Sequence, residues 1–123
     1  NISSRGFVGQ NDDVMIGGFI VRGSEADARL VVRALGPSLA AHGIAQPLDD
    51  PAIEVRDGNG VLIAANDNWR DAQQAEISAL AIAPADEREA AVILTAPPGA
   101  YTGIVRGRDG GTGIALLEIY RLP

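Results

Sequence analysis

Apolar side chains recur at every second position in short runs along this chain, and each run is closed by glycine, proline or a cluster of acidic and amide residues. That two-residue period is what a strand shows when one of its faces is turned to a core. Ile2 to Val8 and Val14 to Val21 read as two such strands, parted by the turn residues Gly9-Gln10-Asn11-Asp12-Asp13. Gly17-Gly18 inside the second predicts a bulge or a close backbone approach. From Arg29 to Leu35, Leu30, Val32 and Ala34 share one face and Arg29 and Arg33 the other, until Gly36-Pro37 ends the run. After the connector Ser38 to Leu48, Pro51 opens a hairpin: Ile53 and Val55 alternate before Asp57-Gly58-Asn59-Gly60, Val61 and Ile63 after it, and the two glycines can take the positive φ of a tight turn. Three further strands, Ala90 to Ala96, Tyr101 to Val105 and Ile114 to Leu122, are separated by Pro97-Pro98-Gly99 and by Asp109 to Gly113.

One stretch departs from this period. Arg70 to Ala83 is rich in helix formers, with Asn68 or Asp71 placed to cap its start, Pro84 to end it, and Ala75, Ile77 and Leu80 as a narrow apolar stripe. The pattern predicts a short helix lying over an open end or edge of the sheets. About eight short strands with one such helix define an all-β fold, an antiparallel β-sandwich of jelly-roll or immunoglobulin-like type. Periodicity alone leaves a closed barrel open as well.

The 123 residues fit one domain, 1–123, long enough to bury a real core. Hydrophobic content of 46% with 21% charged residues is globular rather than disordered composition. No apolar run approaches the ~20 residues of a bilayer span. A net charge of −6 opposes binding to phosphate backbones, so nucleic acid is not an expected partner. The absence of cysteine removes disulfides and thiolate zinc sites.

Several segments carry a resemblance. Asn1 to Val8, Gly17 to Val21, Arg33 to Leu39, Asp50-Pro51, Asn66 to Trp69 and Pro98 to Thr102 resemble a module repeated within, or placed near the C-terminus of, large secreted bacterial proteins. The second half, through Asp50-Pro51, Asn66-Asp67, Gly99 to Tyr101 and Gly113 to Glu118, is also similar to the bacterial pre-peptidase C-terminal domains. The resemblance implies a non-catalytic β-sandwich appended to exported enzymes and adhesins, some of which bind calcium or matrix polymers. It brings no catalytic residues with it.

The candidate chemistry is sparse. His42, with Ser38 or Asp49 as conceivable triad partners, has no nucleophile-elbow motif beside it and reads as a solvated loop residue. The carboxylates Asp12, Asp13, Asp49, Asp50, Asp86, Glu87 and Glu89 all fall in expected turns, where they stay wet rather than converge on a substrate. Hard oxygen donors cluster at Asn66, Asp67, Asn68 and Asp71, a candidate calcium site without the spacing of an EF-hand, in competition with a capping role for Asn66 and Asp67 while Trp69 plugs one end of the core. Trp69, Tyr101, Tyr120, Phe7 and Phe19 are the only aromatics, few for a polysaccharide-stacking platform. Ile2, Phe7 and Val8 lie on an apolar terminal strand able to pair with the edge of a neighbouring copy; head-to-tail pairing of that kind need not close and generates a filament.

The expectation is therefore an extracellular or cell-surface structural or adhesive module, self-associating or joined to neighbouring domains of a larger exported chain. The alternative is a calcium- or glycan-binding accessory domain.

Overall fold

The computed structural model of the chain describes residues 1–23 and 27–122. Its strands are β1 (Ile2–Val8), β2 (Met15–Val21), β3 (Ala28–Leu35), β4 (Pro51–Asp57), β5 (Leu62–Asn66), β6 (Ala90–Ala96), β7 (Gly99–Gly107) and β8 (Gly113–Arg121). They form two four-stranded sheets, ordered β1-β8-β3-β6 and β2-β7-β4-β5, with every pairing antiparallel. β1 pairs with β8, β2 with β7, β3 with β6 and β4 with β5: one long hairpin, rolled up so that its successive rungs alternate between the two sheets. That is a jelly roll, which decides between the sandwich types left open by the sequence and excludes the barrel.

The two inner faces carry the core. Leu30, Val32 and Ala34 of β3, Ala115, Leu117 and Ile119 of β8, Ile53 and Val55 of β4 and Phe19 and Tyr101 of β2 and β7 are all buried there. The Gly17-Gly18 expectation resolves as close approach, not a bulge: β2 runs in unbroken register with β7, and a Cβ on Gly17 would lie 2.8 Å from Leu117 Cδ2. Gly17 pairs directly with Gly103, so two absent side chains make the hollow that Leu117 fills from the opposite sheet.

A second apolar cluster sits on the outer face of the β1-β8-β3-β6 sheet. Val31, Ala91 and Ile93 project outward from β3 and β6 and are covered by Trp69 and Ile77, with Leu80, Ile82 and Tyr120 beside them. Trp69 thus roofs this outer face instead of plugging one end of the inner core.

The helix is shorter than its composition predicts. A single 3-10 turn (Trp69–Asp71) leads to α1 (Gln74–Ala79), which buries only Ile77; Ala75 is exposed. Neither Asn68 nor Asp71 caps a helix start: Gln73 stands at the N-terminal boundary of α1, and no side chain caps there. Six residues are too few for a helix to persist by propensity, so packing decides its bounds. In the β4–β5 hairpin Gly60 has φ 79° while Gly58 stays out of that region, and Asp57 Oδ1 accepts from Asn59 N and Val61 N. A bulge between Val55 and Arg56 then shifts the register, so that Ala64, and not Val61 or Ile63, faces the core. Val61 and Ile63 are 55% and 42% exposed.

Candidate functional site

Glu89 is the one fully buried acid among the described residues, which corrects the reading of it as a wet turn carboxylate. Its Oε2 accepts from Gly36 N at 2.7 Å, Ser38 N at 3.1 Å and Ser38 Oγ at 2.6 Å, and its Oε1 accepts from Asp86 N at 3.1 Å. Gly36 is required at this point because a Cβ there would stand 2.0 Å from the Leu48 carbonyl oxygen. The carboxylate is fully buried among four donors, so it pins the loop after β3 to the loop before β6 and presents no surface to a substrate. Ser38 Oγ is committed to Glu89 while His42 stands exposed in the 3-10 turn Pro37–His42, so no Ser-His-acid arrangement forms. Asp12, Asp13, Asp49 and Glu87 are exposed, as their turn positions predict.

The oxygen-rich loop is only partly assembled. Asn66 spends both ends of its amide: Nδ2 donates to Asn68 O at 3.1 Å and Oδ1 accepts from Ala91 N at 3.0 Å. Asp67 Oδ2 is 3.2 Å from Arg108, and Asp71 is exposed. Asn68 Oδ1 is buried and finds no partner within the protein; the same holds for Asp50 Oδ1, from the turn before β4. Burial pushes the Asp50 carboxyl above its ordinary 3.8, Asp67 adds to that by repulsion, and Arg108 and Arg88 oppose it. Asp50 is the member of this group that the loop spacing could not reveal, since sixteen residues separate it from Asn66. Among the described residues no three His, Cys, Asp or Glu side chains are grouped to hold a metal ion. Beside the loop, Ala52, Glu54, Arg106 and Arg108 floor an open depression of about 590 Å³. Four of the five aromatics are at least half covered, and Phe7 alone is exposed, at 55%.

The strand edges complete the inventory. In β1 only Val8 is buried; Ile2, on the inward face, is still 40% exposed, and β8 is the strand's only partner. The free edge of β6 is occupied by side-chain amides: Gln73 Nε2 donates to Ile93 O at 2.9 Å and its Oε1 accepts from Ile93 N at 2.8 Å, while Asn66 receives Ala91 N. Among the described residues all seven exposed large apolar side chains, Ile2, Phe7, Ile16, Ile20, Val61, Leu62 and Ile63, lie on or next to β1, β2 or β5, the three edges not closed in this way.

The architecture places the chain among antiparallel jelly-roll sandwiches. Within that class it is similar to the crystal structure of the pre-peptidase C-terminal domain of a collagenase from Bacillus anthracis, with a TM-score of 0.59, 16% sequence identity, and coverage of 98% of this chain and 89% of that one. The likeness is one of fold. No described protein family matches the chain, and no curated protein does.

Proposed function

We propose that this chain is a non-catalytic structural or adhesive module of an exported protein, at the cell surface or outside it, that associates with further copies head to tail through its terminal strand. One observation carries the reading: β1 closes the rolled hairpin by pairing with β8 alone and buries a single side chain, so the contacts holding it in its own sandwich are few. A strand so placed can leave β8 and be replaced by the same strand of a neighbour at little net cost in hydrogen bonds. Each exchange leaves one donor and one acceptor, so the series need not close. The fold likeness to an appended domain of a collagenase supports a module within a longer chain. Electron microscopy of the purified chain at high concentration tests this. Filaments that stop growing when excess peptide of residues 1–8 is added are the expected result, and a strictly monomeric species in sedimentation refutes it.

A second reading, a calcium-binding accessory module, is favoured by the unpartnered Asp50 Oδ1 and Asn68 Oδ1 close to Asp67. It predicts a rise in melting temperature with Ca²⁺ that chelator reverses. Glycan binding has no comparable support, since the exposed aromatic is a single phenylalanine.

A further inference from the structure

The four edge strands are not protected alike. β6 is closed by the Gln73 and Asn66 amides, β5 is short and bent by the Val55/Arg56 bulge, and β1 carries Arg5 at its centre. β2, Met15–Val21, has no charge, no proline and no bulge, and pairs only with β7. Its outward side chains Ile16 and Ile20 are 62% and 65% exposed, with Gly18 between them. Exposed Asp12 and Asp13 precede this strand, and exposed Arg22 follows it.

We propose that the β2 edge is the docking surface for a second copy of this chain, paired antiparallel with its counterpart about a two-fold axis at Gly18. In that register Ile16 of each copy stands opposite Ile20 of the other, and the glycine at the axis leaves no side chain to hold them apart. A shift by one residue would instead set outward Ile16 opposite core-facing Val21, and would place the two sandwiches on opposite faces of the joined sheet. Charge selects the direction. Antiparallel pairing brings the Asp12-Asp13 end of each copy to the Arg22 end of the other, twice by symmetry, whereas parallel pairing sets like charges side by side. Seven residues at ~3.3 Å each, and two sheets ~10 Å apart with outer side chains adding ~5 Å on either side, give an open side of about 23 by 20 Å, so the pair buries roughly 900 Å² in all. That area exceeds typical lattice contacts and falls short of a permanent dimer, so a weak, exchanging pair is expected.

The inference does not depend on exchange of β1: a two-fold pair is closed and stops at two, whereas terminal-strand exchange continues. Sedimentation velocity at low salt, from about 1 to about 300 μM and with excess residue 1–8 peptide to suppress exchange, should show a 12.7 kDa species rising to twice that mass and no further. I20K and R22E should each weaken association at least about ten-fold with the melting temperature unchanged, because both positions are exposed. D13R combined with R22E should restore it. A single 12.7 kDa species across the range, or a dimer indifferent to both I20K and R22E, overturns the proposal. Filaments in peptide-free samples alongside either of those results would leave terminal-strand exchange standing, and their absence alongside a β2-dependent dimer would do the reverse.

Discussion

Replacing Glu89 tests whether a single buried carboxylate holds the two loops at this end of the sandwich together. Truncation to alanine strands four donors at once, Gly36 N, Ser38 N, Ser38 Oγ and Asp86 N. Hydrogen bonds to charged groups contribute about 1.5–3 kcal/mol each, and an unsatisfied buried donor costs about 1–3 kcal/mol. The four do not add, because they share one side chain and water can reach the partly exposed Ser38 once the carboxylate is gone. A loss of about 4–5 kcal/mol follows for Glu89→Ala, a large share of the 5–15 kcal/mol available to a domain of this size. Glu89→Gln keeps the shape and one good acceptor but turns an NH₂ toward the Asp86 N–H or the Ser38 donors, so about 2–3 kcal/mol is expected. At about 4 °C per kcal/mol the glutamine variant should melt about 10 °C below the parent. Urea unfolding of both variants, of Ser38→Ala and of the Ser38→Ala/Glu89→Gln pair measures the losses and the coupling. A Glu89→Gln loss under about 0.5 kcal/mol, or additive effects with Ser38, would refute the argument that these donors are held by the charge.

Other expectations follow from single features of the fold. The Gln73→Ala/Asn66→Ala double variant removes three bonds to the β6 backbone, which should cost about 1–3 kcal/mol and, by freeing that edge, speed aggregation measured by light scattering. Hydrogen bonding from Arg106, and after it from Arg56, holds the Glu54 carboxyl below its ordinary 4.5, so its contribution is present above pH 4.5 and is lost as pH falls through the lower folded value. Glu54→Gln should therefore flatten the acid limb of the stability–pH curve, by less than about 1 kcal/mol because its arginine partners are partly exposed. Asp50 has the opposite sign, since burial raises its pKa: Asp50→Asn should raise the melting temperature at neutral pH in chelator and abolish any response to Ca²⁺. Ala81 closes α1 with φ 57°, a conformation glycine adopts without penalty, so Ala81→Gly should stabilise the protein by about 0.5–1 kcal/mol in urea titration.

The alternation of Leu30, Val32 and Ala34, and the turn residues that end each run, are local properties, and they were enough to place all eight strands and the all-β class. Which sheet each strand joins was not legible, because Ile2 pairs with Ile119 and Met15 with Val105 across most of the chain. The bulge at Val55/Arg56 reversed the expected facing of Val61 and Ile63, a change of register that depends on turn geometry as much as on residue type. The helix is shorter than its composition for a related reason: good helix formers from Arg70 to Ala83 signal propensity, but within α1 only Ile77 is buried against the sheet. At the candidate sites, Asn66, Asp67, Asn68 and Asp71 are close in sequence, yet Asn66 is spent on β6 and the acid with a buried, unpartnered oxygen, Asp50, comes from another strand's approach. Glu89 carried no signal beyond its place in an acidic turn, since all its partners but Asp86 lie some fifty residues upstream.

The pairing of β1 with β8 also sets how the protein answers to tension. Ile2 and Ile119 face each other at the start of the ladder, so the chain enters and leaves at neighbouring points on one end of the sandwich. A pull on those two ends does not shear the strands along their length; it parts them rung by rung, breaking one small set of bonds at a time. Tethered at both ends, such a module would yield early and extend, acting as a compliant link rather than a rigid strut.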